Sequence, residues 1–322
     1  MAKKFRILSL DGGGLRGLIP LLTLKRIEEM TGKKTHELFD MIAGTSTGGI
    51  IAAGLSATRD GKSPALTVDK LIELYTTKGE AIFPRSKNVF SKAFRNIKGA
   101  LGPKFSADGL DAQLKEYFGD MALKDTLKPI VITSYDIRNN QVVMFKTRLA
   151  KWDARYDLPL SSACRATSAA PTYLPSYELS YDGRQRTCID GGVYINNPVM
   201  GAIAEAIKAN PKLKPSDIEV LSLGTGAYAE KIGDKAEEWG LAEWALPITT
   251  TMMQATSFAA AYEAGQIAGK HLRFQVAIYD KCRSDMSDSD PKTAEYITRL
   301  TQEQILSDEK KMQALKDFFG NI

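Results

Sequence analysis

Ser46 lies at the centre of Gly44-Thr45-Ser46-Thr47-Gly48. A strand-like run, Leu38-Phe39-Asp40-Met41-Ile42-Ala43, comes before it, and a run of small residues suited to a helix, Gly49-Ile50-Ile51-Ala52-Ala53-Gly54, comes after. Glycines two residues either side of a serine permit a sharp turn from strand to helix. Such a turn lifts the hydroxyl clear of the sheet. It also sets it beside a helix N-terminus, where developing negative charge is favoured. Ser46 is therefore a candidate nucleophile, with Gly44 and Gly48 as the residues that make the turn. A plain Gly/Ser/Thr loop has the same composition, and the strand–turn–helix context separates the two.

The pattern around this turn repeats along the chain. Strand 5–10 leads to helix 16–30, strand 38–43 to helix 48–57, and a helix follows at 68–80. Another begins at about 108. Strand 129–135 pairs with 141–147, a helix from about 158 carries Arg165, and Asn197-Pro198 opens a helix to Ala209. Strand 218–223 follows, and 272–278 reads as a further strand. Alternation of this kind predicts a three-layer α/β/α fold with a mainly parallel central sheet. Its site belongs at the carboxyl ends of the strands. No linker-like stretch divides residues 1–322, so a single domain is expected.

The chain has only two histidines, His36 and His271, and neither has the setting of a catalytic base. A carboxylate held against the hydroxyl can take its proton instead. The best placed is Asp190, in Cys188-Ile189-Asp190-Gly191-Gly192-Val193. Gly191 and Gly192 allow a tight turn that points the side chain back toward a site. Taken alone, an aspartate before two glycines reads equally as a turn residue.

Asp11-Gly12-Gly13-Gly14-Leu15-Arg16-Gly17 directly follows the first strand. Consecutive glycines can gather several backbone N–H groups around one anion. Read with Ser46, Gly12, Gly13 and Gly14 are oxyanion donors, and Arg16 steadies the loop or attracts an anionic head group. The same residues fit G-x-G-x-x-G between strand and helix, the mark of a dinucleotide-binding unit, with Asp40 as its acidic partner. That alternative makes the chain a nucleotide-binding or sensor protein and leaves the Ser46 and Asp190 motifs without a purpose.

These three motifs, in this order, resemble the patatin-like phospholipase family. Arg165-Ala166-Thr167-Ser168-Ala169-Ala170-Pro171-Thr172-Tyr173-Leu174-Pro175, Asn196-Asn197-Pro198 and Ser222-Leu223-Gly224-Thr225-Gly226 match its style as well. The resemblance runs from about Phe5 to Gly226 and on to Ile278. It implies a catalytic domain like that of cytosolic phospholipase A2, with a Ser46–Asp190 dyad and a glycine-rich oxyanion hole at Gly12, Gly13 and Gly14. It implies a phospholipase A-type acyl hydrolase of membrane glycerophospholipids, with no metal or other cofactor. The chain is also similar to bacterial effectors of cyclic-oligonucleotide anti-phage defence. That likeness admits a cyclic dinucleotide activator and a homo-oligomer.

The cysteines, Cys164, Cys188 and Cys282, are odd in number and scattered, which argues for a reducing compartment. The glycine run arrives by position 14, leaving no room for a signal peptide, and no apolar run is long enough to span a bilayer. A cytoplasmic protein acting at the inner face of the membrane is expected. Residues 81–107 hold Arg85, Lys87, Lys92, Arg95, Lys98 and Lys104 with no acidic residue. Val89, Phe90, Phe94, Ile97 and Leu101 recur there at helical spacing, so 84–104 reads as a basic amphipathic helix able to touch anionic membrane. The net charge of +5 comes with no nucleic-acid-binding motif, and no nucleic-acid partner is expected.

Overall fold

The computed structural model describes residues 4–85, 102–229, 236–244, 247–280 and 283–320. At its centre is an eight-stranded sheet in the order β5-β6-β3-β2-β1-β7-β9, with β4 also paired to β3. The strands are β1 (Phe5–Leu10), β2 (Met41–Thr45), β3 (Ile130–Asp136), β4 (Gln141–Lys146), β5 (Tyr177–Tyr181), β6 (Arg184–Asp190), β7 (Ile218–Leu223) and β9 (Lys270–Phe274). β3, β2, β1, β7 and β9 run parallel. β4 and β6 join β3 antiparallel, and β5 joins β6 in the same way. A two-stranded sheet pairs β8 (Ala227–Tyr228) with β10 (Ala277–Ile278).

Alternate side chains of the central strands feed two different cores, as a sheet covered on both faces requires. On β1, Leu8 and Leu10 join the cluster under the helices Leu18–Thr31 and Thr47–Ser56. Ile7 faces the other way, toward Val199, Ile203 and Ala264, from the helices Val199–Ala209 and Pro247–Ile267. This is the expected three-layer α/β/α fold. The helix Leu18–Thr31 ends where Gly32 turns left-handed at φ 65° and donates its N–H to Glu28 O.

Local chemistry moves several expected boundaries. The strand predicted at 38–43 begins only at Met41. The chain before it forms a helical turn, Thr35–Leu38, held by Glu37 accepting from Lys34 N at 2.6 Å. His36 therefore sits on this helical turn. The helix expected to run to residue 80 stops at Thr76, and Gly79–Ile82 forms a separate turn. The strand expected through Ile278 ends at Phe274, because Gln275 turns inward and its Oε1 accepts from Gly226 N at 2.6 Å.

The basic amphipathic segment expected at 84–104 lies, from 86 to 101, outside the described residues. Its flanks are described, and their cations are paired: Arg85 with Glu80 at 2.7 Å and Lys104 with Asp285 at 3.6 Å. No helix among the described residues is long and apolar enough to cross a membrane.

Candidate active site

Sheet register brings the two key side chains together. Thr45 lies opposite Thr133, and the next residue of that strand, Ser134, lies opposite Asp190. Ser46, one step beyond Thr45, and Asp190 therefore emerge at one level from strands flanking β3. On the other side, Leu10 is level with Gly44 and with Leu223, so the glycine loop after β1 opens at the same sheet end. This is the carboxyl edge of the parallel strands, where α/β sheets place their sites.

Ser46 has φ 54° and ψ −123°, a backbone conformation that side-chain-bearing residues rarely adopt. Its surroundings hold it there. Its N–H donates to Thr167 Oγ1 at 2.8 Å, and its carbonyl accepts from Gly49 N at 2.8 Å in the first turn of the helix Thr47–Ser56. Gly44 and Gly48 are required by close approach. A methyl on Gly44 would stand 2.0 Å from Gly48 O, and one on Gly48 would stand 2.3 Å from Leu10 O.

Asp190 is 5% exposed. Its Oδ1 accepts from Gly192 N at 2.7 Å, and the Ser46 hydroxyl stands near enough to favour its charged form. Burial pushes its carboxyl up to about 6, against the opposing pull of those two donors. Gly191 lets the turn lie against Thr133, whose Oγ1 would stand 2.2 Å from a methyl there. Neither histidine hydrogen-bonds to Ser46 or Asp190 among the described residues. His271 lies on β9 opposite Val220, three residues short of the strand end, and burial pushes its imidazole down to about 4.

The glycine loop is braced on every side. The Gly12 N–H is engaged with Asn196 O at 3.0 Å, so Gly12 is not a free donor. The Gly13 and Gly14 N–H groups donate to nothing among the described residues. Gly13 packs on Thr225, whose Oγ1 donates to Gly12 O at 2.5 Å. Gly14 is left-handed at φ 57°, and a methyl on it would meet Met286 O at 2.3 Å. Leu15 N donates to that same Met286 carbonyl at 2.8 Å, and Arg16 Nη1 donates to Ser284 O at 3.0 Å. Arg16 thus steadies the loop by clamping the segment 284–286.

Asp11, 1% exposed, forms a two-pronged ion pair with Arg273 at 2.5 and 2.7 Å, and Arg273 also donates to Ser222 Oγ at 2.8 Å. Arg273 carries no local signal in the sequence that points to Asp11, and the motifs holding Thr167 and Thr225 do not mark either residue's hydrogen bond.

A small pocket of about 50 Å³ opens at Ser46. Ile50, Leu74, Ile82, Phe83, Leu110, Leu174 and Met286 give it apolar walls. Thr47 and Tyr75 also line it, but their hydroxyls satisfy each other at 2.5 Å. The lining is apolar up to Ser46, the character that suits the hydrocarbon part of a lipid ester.

Comparison with known proteins agrees with this architecture. A family model described as patatin-like phospholipase matches residues 8–203. Patatin-like protein 2 of Arabidopsis thaliana is 32% identical over 92% of this chain and 81% of its own length. Patatin-like protein 1 of Oryza sativa subsp. indica is 34% identical over 79% of this chain and 68% of its own. Patatin-like protein 1 of Arabidopsis thaliana is 31% identical over 91% and 79%. The fold and these relatives define a hydrolase acting on lipid esters. The chain belongs to the patatin-like phospholipase family.

Removing the cation from the Asp11 pair leaves a buried carboxylate uncompensated. Arg273→Ala is expected to lower stability by about 3–5 kcal/mol. Thermal or urea unfolding measures this, and a loss under about 1 kcal/mol, the scale of an exposed pair, would contradict it.

Proposed function

We propose that this protein is a phospholipase A-type serine acyl hydrolase cleaving carboxylic esters of membrane glycerophospholipids. The observation that carries the reading is the approach of a backbone-strained Ser46 to a buried Asp190, whose carboxyl burial pushes up to about 6, beside an apolar pocket. Asp190 accepts the Ser46 proton as Oγ attacks the ester carbonyl. The Gly13 and Gly14 N–H groups receive the oxyanion, each such donor contributing roughly 2.7–4 kcal/mol in the transition state. The proton then passes from Asp190 to the departing alcohol, and an acyl-enzyme remains on Ser46. Water, activated by Asp190, releases the fatty acid. The enzyme reaches its lipid from the cytoplasmic side, with 84–104 as a contact to the bilayer.

The dinucleotide reading has less support. Asp40, its acidic partner, is occupied in accepting from Arg6 N at 2.9 Å, and the loop around Gly14 is covered by Met286.

Ser46→Ala and Asp190→Asn are each expected to cut ester hydrolysis by about a thousandfold or more with the fold intact by circular dichroism, whereas His36→Gln and His271→Gln stay within about tenfold. Labelling by a fluorophosphonate, lost only in Ser46→Ala, reports the same nucleophile. A folded but inactive histidine variant would restore a triad.

The base must be ionised to accept a proton, so kcat/KM is expected to fall as pH drops through about 6 and to level off above it. An activity unchanged between pH 5 and pH 8, each an approximate bound, would remove Asp190 from that role.

The proposal extends to control, on the strength of the resemblance to anti-phage effectors. Basal hydrolysis of vesicles is expected to be low and to rise with one particular 3′,3′-cyclic dinucleotide. Full activity that stays constant across a panel of cyclic di- and trinucleotides would discard activation and leave the hydrolase.

A further inference from the structure

Asn196 Oδ1 is buried and accepts no hydrogen bond among the described residues, in a side chain only 8% exposed. The rest of the residue is fixed. Its carbonyl accepts from Gly12 N at 3.0 Å, and its Nδ2 donates to Ser257 Oγ at 3.2 Å. Next to it, Asn197 is tied to Ser9 and to the carbonyl of Ser257. The unpartnered oxygen stands where two glycines leave room. A methyl on Gly12 would be 2.5 Å from it and 3.3 Å from Ser46 Cβ. A methyl on Gly192 would be 3.2 Å from it and 3.1 Å from Asp190 Oδ1. The oxygen therefore borders both members of the proposed dyad.

A buried acceptor without a donor is costly, and at a reaction centre it calls for a donor from outside the protein. The ester supplies none, since its carbonyl and bridging oxygens only accept. In acylation one proton moves, from Ser46 to Asp190 and then to the leaving alcohol. The hydrolytic water is different, because it brings two O–H bonds. One proton goes to Asp190, and the other needs an acceptor if the lone pair is to aim at the acyl carbon.

We infer that Asn196 Oδ1 orients the water that hydrolyses the acyl-enzyme. This rests on the reading of Ser46 as the acylated residue. The water O–H toward Asn196 stays intact as a hydrogen bond. The other O–H breaks, its proton passing to the Asp190 carboxylate while the water oxygen bonds to the acyl carbon. The tetrahedral intermediate then collapses, the bond from carbon to Ser46 Oγ breaks, and Asp190 returns the proton to Oγ. The products are a free fatty acid and the starting enzyme.

The test uses a 4-nitrophenyl acyl ester, in which the nitrophenolate burst reports acylation and the later steady rate reports deacylation. For Asn196→Ala, the burst rate is expected to stay within about threefold, while steady turnover falls roughly 10- to 100-fold. The acyl-enzyme on Ser46 accumulates in intact-mass spectra. Hydroxylamine, a stronger nucleophile than water, is expected to restore turnover, which a merely distorted fold would not allow. Asn196→Asp keeps the shape and an acceptor oxygen, and it serves if Asn196→Ala does not fold. It is expected to deacylate at near the unmodified rate in alkaline buffer, where Asp190 stays ionised. Equal losses of burst and turnover in Asn196→Ala, or slow deacylation in Asn196→Asp, would overturn the inference alone. Unmodified protein that takes up no fluorophosphonate at Ser46 would overturn the functional reading and this inference with it.

Discussion

The site is organised around a serine held in a backbone conformation that its own side chain opposes. Such a residue costs on the order of 1–3 kcal/mol and persists only where its surroundings leave no alternative. Here, strand β2 enters and the buried helix Thr47–Ser56 leaves with no spare residue between them. Gly44 and Gly48 allow the two backbones to touch. Thr167 satisfies the Ser46 amide that this turn would otherwise strand. The hydroxyl is presented by the sheet and helix together, which makes its position as rigid as the core beneath it.

Two buried aspartates at this sheet end have different partners, though burial pushes both carboxyls up. Asp11 faces the Arg273 guanidinium across two hydrogen bonds, which oppose its desolvation without cancelling it. Asp190 has no cation beside it, only the Gly192 amide and the nearby Ser46 hydroxyl, and its carboxyl is pushed up to about 6 without any imidazole.

Much of this was legible in the sequence, because glycine-rich turns are local. Gly44, Gly48 and Gly191 mark close backbone approaches that no larger residue permits, and the motifs fall after the strands that present them. Strand and helix order followed from periodicity in the same way. Boundaries were less legible where one side chain replaces the backbone pattern, as Asp40 does at Arg6 and Gln275 does at Gly226. Partners far along the chain were not legible at all. Nothing in the run from Asp11 to Gly14 points to Arg273, to Met286, or to the Asn196 carbonyl that occupies the Gly12 amide.

The ion pair between Asp11 and Arg273 joins residues 262 positions apart. On the ribosome, Ser46, Asp190 and the whole glycine loop are synthesised before that arginine exists. Until it arrives, Asp11 resists burial, and Gly14 lacks the Met286 carbonyl that covers it. Contacts of such long range form late, since the intervening chain must first be ordered. A growing chain thus carries Ser46 and Asp190 before the brace that fixes the loop beside them can form.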